Sequence, residues 1–87
     1  MAFTFEITGI YRLASARIGV LDGKLLDGKV LIGTKAQLEH DGQFYPLRVK
    51  GIALDAVRIQ REGLSLTVDL RDAGMKVATV GDKVMGL

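Results

Sequence analysis

Catalysis needs nucleophiles, acid–base groups or metal ligands within reach of one another, and this chain of 87 residues holds few of them. Its one histidine, His40, stands beside the Asp41-Gly42 pair, where a polar loop residue is expected. Ser15 and Ser65 could complete a nucleophilic triad with it only from strand-like surroundings, without the sharp turn that exposes a nucleophile. A zinc site takes roughly three or four Cys, His or carboxylate ligands. With no cysteine and a single histidine, neither a metal nor another cofactor is expected, and a reducing compartment suits the composition. Asp22, Asp27 and Asp41 each precede a glycine, which is the pattern of turn residues capping local amides, not of carboxylates paired for acid–base work. Gly23 to Val30 fits the G-x-x-x-x-G-K spacing of a phosphate loop, but Val30 stands where a magnesium-binding hydroxyl is required. Strand-like Leu31 and Ile32 follow, where a helix should present its amides to the anion. The residues therefore predict a protein that is not an enzyme.

What remains is charge, and its use depends on the elements that carry it. The dominant period is two. Phe3, Phe5, Ile7, Gly9, Tyr11 and Leu13 share one parity, with Ile10 the large apolar exception, so a half-buried strand is predicted. A second strand fits Ala16, Ile18 and Val20 and ends at the Asp22-Gly23 turn signal, leaving Lys24 to Asp27 as a connection. A third begins near Val30, with Val30, Ile32, Ala36 and Leu38 on one face. Asp41-Gly42 then suits a two-residue hairpin loop, whose positions both need positive φ. That loop places His40 opposite Gln43, Leu38 opposite Tyr45, Ala36 opposite Leu47 and Thr34 opposite Val49. The apolar sets of both strands fall on one sheet face, as a correct register requires.

The other face of this hairpin receives Lys35 against Arg48, with Lys50 one step further on. Like charges opposed across a ladder repel mildly. Such a cluster either guards an outer strand against edge-to-edge association or faces an anion, in which case it would hold RNA phosphates and leave the bases unread. Phe44 shares that face and is the candidate anchor for a protein partner.

Residues 53–63 read equally as a short helix from Asp55 to Gly63 or as a strand through Val57 and Ile59. Beyond them Leu64, Leu66, Val68 and Leu70 point inward, and Ser65, Thr67 and Asp69 outward. Arg71 to Gly74 reads as a turn, with short closing strands at Met75 to Val77 and Lys83 to Leu87. About six or seven short strands, with 11 glycines to turn them, predict one all-β domain over residues 1–87, a small antiparallel β-barrel.

Val20-Leu21-Asp22-Gly23-Lys24-Leu25-Leu26-Asp27-Gly28-Lys29-Val30 resembles the V-x-x-G-x-(I/L)-x-x-G-x-x-V stretch of the β-barrel that follows the GTP-binding domain in translational GTPases such as elongation factor Tu and the initiation factors. Val49-Lys50-Gly51-Ile52 is similar to the strand after that domain's hairpin. Glu62-Gly63-Leu64-Ser65-Leu66 and Val80-Gly81-Asp82-Lys83-Val84 are similar to its A-G-x-x-V and R-G-D-x-V stretches, and the order holds from Phe3 to Gly86. The chain departs from the family at Leu13 to Arg17, where a G-T-V stretch is usual. The resemblance implies a barrel of elongation factor Tu domain 2 type and a place near RNA or the ribosome. The GTP-binding domain lies outside this sequence, so the resemblance implies no nucleotide hydrolysis. Asp69 to Gly74 approaches the D-x-S-x-x-G of cyclic-dinucleotide-binding domains, but Arg71 replaces the serine.

Charge composition agrees with a soluble module. Twelve Lys and Arg against 10 Asp and Glu leave a net charge of +2, which is no nucleic-acid signature by itself. The first residues alternate apolar with polar and do not form a signal peptide, and nowhere do about 18 apolar residues stand together. A cytoplasmic protein without a membrane segment is expected. Two partner classes remain open: RNA or the ribosome through Lys35, Arg48 and Lys50, or a protein through Phe44 and an uncovered strand edge. The oligomeric state is left open as well.

Overall fold

Alternating apolar residues between glycine-rich turns give the chain a sheet, which in the computed structural model is described over residues 3–54 and 63–86. Its strands are β1 (Phe3–Leu13), β2 (Ile18–Gly28), β3 (Lys35–His40), β4 (Gln43–Arg48), β5 (Gly51–Leu54), β6 (Gly63–Asp69) and β7 (Lys83–Gly86). A short helix, α1 (Ala73–Val77), and a 3-10 turn at Ala14–Ala16 complete the elements. All pairings are antiparallel, in the order β4-β3-β7-β1-β2-β6-β5, and the seven-stranded sheet curls into a half-barrel. β4 and β5 are its two edges, yet only Val49 and Lys50 separate them in sequence. Lys50 N–H already donates to the Thr67 carbonyl of β6 at 2.8 Å, so the chain steps from one edge to the other across the mouth of the curl. The inside holds the core, with Phe5, Leu21, Leu38, Leu66, Val68 and Val84 all fully buried. No helix among the described residues is long and apolar enough to cross a membrane.

The β3–β4 hairpin has the predicted register at every pair from Lys35↔Arg48 to His40↔Gln43. Asp41 and Gly42 take φ of 53° and 78°, the left-handed values that a two-residue loop demands. Thr34 and Val49 extend it, with Val49 N–H donating to the Thr34 carbonyl at 3.0 Å.

The first hairpin departs from its prediction. Asp22-Gly23 is not a turn, and Lys24 to Asp27 is not a connection: β2 runs straight through both to Gly28. Gly23 is there because the strands approach closely, and a Cβ at this position would run into the Glu6 carbonyl oxygen and lie 2.7 Å from the Phe5 ring. The β1–β2 register slips twice, leaving Thr8 extra in β1 and Leu26 extra in β2. Each is a β-bulge, which reverses the side-chain alternation beyond it. Phe3, Phe5 and Ile7 are therefore buried, but after Thr8 it is Ile10 that packs on the core. Tyr11 and Leu13, predicted on the inward parity, are instead exposed at 57% and 52%. In β2 the inward set is Gly19, Leu21 and Gly23, while Ala16 sits in the 3-10 turn, outside the strand.

Two further expectations are corrected. Val30 and Ile32 precede β3 in a loop, where Val30 packs on the core and Ile32 is exposed. Met75 to Val77 is helix, not strand: the Asp72 carbonyl accepts from Met75 N–H (3.0 Å) and Lys76 N–H (3.3 Å) and starts a single helical turn. Met75 is fully buried against Gly19, and Arg12 Nη2 donates to the Met75 and Ala78 carbonyls at 3.2 and 3.3 Å. That cation suits the C-terminal end of the helix. Of the stretch 53–63, Ala53 and Leu54 belong to β5 and Gly63 to β6, and the choice between helix and strand for the remainder falls outside the described residues.

Candidate functional site

The outward face of the β3–β4 hairpin follows from its register. Along it lie three rungs: Lys35 against Arg48, Gln37 against Pro46, and Glu39 against Phe44. Lys35, Arg48 and Phe44 are exposed, so the structure brings together on one face the cations and the aromatic ring that the sequence placed there. Among the described residues, no carboxylate forms an ion pair with Lys35 or Arg48.

Lys50 is placed differently. Its Nζ lies 2.9 Å from Asp69 Oδ2, at the end of β6, so it belongs to an ion pair and does not extend the free cationic row. Arg71, which sequence reasoning did not single out, grips the same carboxylate. Its Nη2 donates to Oδ2 at 2.8 Å, and its Nε and backbone N–H donate to Oδ1 at 3.1 and 2.8 Å. The Arg71 side chain is the main reason that the Asp69 carboxyl is held well below the usual carboxylate range, followed by the Arg71 N–H and Lys50. Asp69 in turn raises the Arg71 guanidinium. The i, i+2 spacing of Asp69 and Arg71 was a faint signal. Their meeting with Lys50 was not visible, because it depends on where the β4–β5 step crosses β6.

Asp72 fixes the opposite wall. Its Oδ2 accepts the Arg48 backbone N–H at 3.1 Å, so that amide points away from β3, toward the open edge of β4. Pro46, two residues earlier and aimed the same way, has no N–H. α1 packs against β4, with Gly74 seated so close to Leu47 that a Cβ there would lie 2.8 Å from Cδ2. Proline, a bound carboxylate and a covering helix are devices that blunt a sheet edge against pairing with another strand.

Between these walls lies an open concavity of about 840 Å³, lined by Lys35, Gln37, Phe44, Pro46, Arg48, Lys50, Arg71 and Asp72 among others. Its four cations, Lys35, Arg48, Lys50 and Arg71, outnumber Asp72 and the underlying Asp69, a local excess of two positive charges. The chemistry available is binding of an anion.

His40 and Ser65 are both engaged away from this concavity. His40 Nδ1 lies 2.8 Å from Asp82 Oδ2, which also accepts the N–H and the hydroxyl of Thr79 at 2.9 and 3.1 Å. The cluster ties the hairpin to the turn before β7. Ser15 sits in the 3-10 turn, and the Ser65 hydroxyl donates to Asp22 across the β2–β6 pair. Asp22 is thus a strand residue with a hydrogen-bond partner, whereas Asp41 is the turn residue predicted.

No protein-family model, curated protein or solved structure matches the chain.

Proposed function

We propose that this is a non-catalytic binding module that docks on RNA or ribonucleoprotein through the basic concavity beside the β3–β4 hairpin. The observation that carries the reading is the Lys35–Arg48 rung: two exposed cations side by side, without ion-pair partners among the described residues, at the lip of a concavity with net positive charge. Two like charges kept on one rung repel unless an anion joins them. The likeness to the translational GTPases' second domain supports the same partner class, with a barrel of that type and a cytoplasmic location as parts of the proposal.

Such a site holds phosphates and is sensitive to salt. With Lys50 and Arg71 already on Asp69, only two cations are free to displace counterions. We therefore expect a slope of log K against log salt of about −1.4 for a single strand. Fluorescence anisotropy with labelled RNA, and ribosome co-sedimentation over a salt series, would measure it. Lys35→Glu/Arg48→Glu should lower affinity on the order of a hundredfold at low salt and leave the circular dichroism spectrum intact. Absence of binding at low salt by folded wild-type protein would overturn the proposal.

A second reading, a protein-interaction module, draws on Phe44, a large apolar residue that is 54% exposed. The blunted β4 edge moves that reading on this hairpin from strand pairing to side-chain contact.

A further inference from the structure

We infer that the nucleic acid taken up by the concavity is single-stranded, with one base stacked on Phe44 while Lys35 and Arg48 hold its phosphates. This rests on the RNA reading above and gives it direction. The three rungs form a gradient: two cations at one end, Gln37 and Pro46 between, and Phe44 beside Glu39 at the other. Phe44 and the cations line the same concavity, and Glu39 does not. From the cationic rung to the aromatic rung is four residues of strand, roughly 14 Å at 3.4 Å per residue. The Glu39 carboxylate across from Phe44 repels a phosphate at that end, whereas the flat face of a base is uncharged and suits an exposed ring.

A duplex cannot use this arrangement. Its bases are stacked on one another and turn only edges and phosphates outward, so the Phe44 ring would meet no base face. A single strand can turn one base out onto the ring, and such stacking depends little on which base it is. The concavity, about 840 Å³, lies in the range of about 300–1,000 Å³ typical of small-ligand clefts, which limits the contact to a short stretch.

The chain has no tryptophan, so Phe44→Trp installs a unique reporter in the proposed seat. Titration with single-stranded oligouridylate should quench its emission, and titration with inorganic polyphosphate of matched charge should not. In anisotropy, Phe44→Ala should weaken the single strand about five- to hundredfold, leave polyphosphate unchanged, and bring single strand and duplex to similar affinity. If Phe44→Ala binds the single strand as tightly as wild type while Lys35→Glu/Arg48→Glu does not, stacking is refuted and the phosphate site survives. A duplex bound more tightly than the single strand also refutes the inference. If neither RNA binds but polyglutamate does, both this inference and the RNA reading fail, and the partner is an acidic protein.

Discussion

Gly23→Ala should remove a large share of the protein's folding stability. The added methyl has nowhere to go, because it would collide with the Glu6 main-chain oxygen and come within 2.7 Å of the Phe5 ring, which is fully buried. Main chain cannot swing aside as a flexible side chain can, so β1 and β2 must separate next to the Thr8 bulge. We expect a cost of at least about 3 kcal/mol, in the class of severe core overpacking. A domain of this length has a total stability of only roughly 4–13 kcal/mol. Gly9 supplies the control. A Cβ there would lie 3.6 Å from the Asp22 Cβ, an ordinary contact, so Gly9→Ala should stay within about 0.5 kcal/mol of wild type. Urea denaturation of the two variants compares them directly. Equal and small losses would show that the strands do not approach as described.

Asp69→Asn should move stability and binding in opposite directions. Asp69 is nearly covered by its surroundings and accepts from both Lys50 and Arg71. Its neutral isostere keeps the shape and loses the charge that holds them, so Tm at pH 7 should fall by several degrees. The pH dependence has a definite sign. A carboxyl whose pKa is depressed on folding adds stability that is fully present above its unfolded value, about 3.9, and is lost as pH falls toward the folded value. The gap in Tm between wild type and variant should therefore be constant from pH 7 to about pH 5 and narrow below about pH 4. At the same time Lys50 and Arg71 are released into the concavity. With four cations free, the salt slope for single-stranded RNA should steepen from about −1.4 to about −2.8, and affinity at low salt should rise. A variant that loses both stability and affinity would show that Asp69 positions these cations for the ligand and does not withhold them from it.

The same dipeptide was informative in one place and misleading in another. Asp41-Gly42 closes a hairpin whose whole register follows from the turn, so the Lys35, Arg48 and Phe44 face is legible in the sequence. Asp22-Gly23 lies in mid-strand, where its glycine answers a close approach from a neighbouring strand. A local motif carries no record of such a tertiary demand. The Thr8 bulge was hidden for a related reason: Tyr11 and Leu13 continue the apolar parity of Ile7 although the strand has already turned them outward. Ile10, apolar on the wrong parity, was the one sign of it. α1 is five residues long, too short for a 3.6-residue period to separate from a period of two. The Asp69 hub joins residues 50, 69 and 71 from the step between two edge strands and the end of a third, a convergence that the fold alone creates.

β7 stands between β3 and β1, so among the described residues it is the one strand whose ladders join the β3–β4 hairpin to the β1–β2–β6–β5 group. The β1–β2 and β3–β4 hairpins each close locally, from neighbouring stretches of chain, and on a growing polypeptide each can take shape as soon as it emerges, whereas β6 must reach back past the β3–β4 hairpin to pair with β2. They have no shared ladder until Lys83–Gly86, the last strand in sequence order, slides between them. Until then both flanks of the gap present raw hydrogen-bonding edges and an open core. The interval before those four residues are made is thus the period of greatest hazard in the protein's biosynthesis, when strand exchange with a second nascent copy competes with completion of its own sheet.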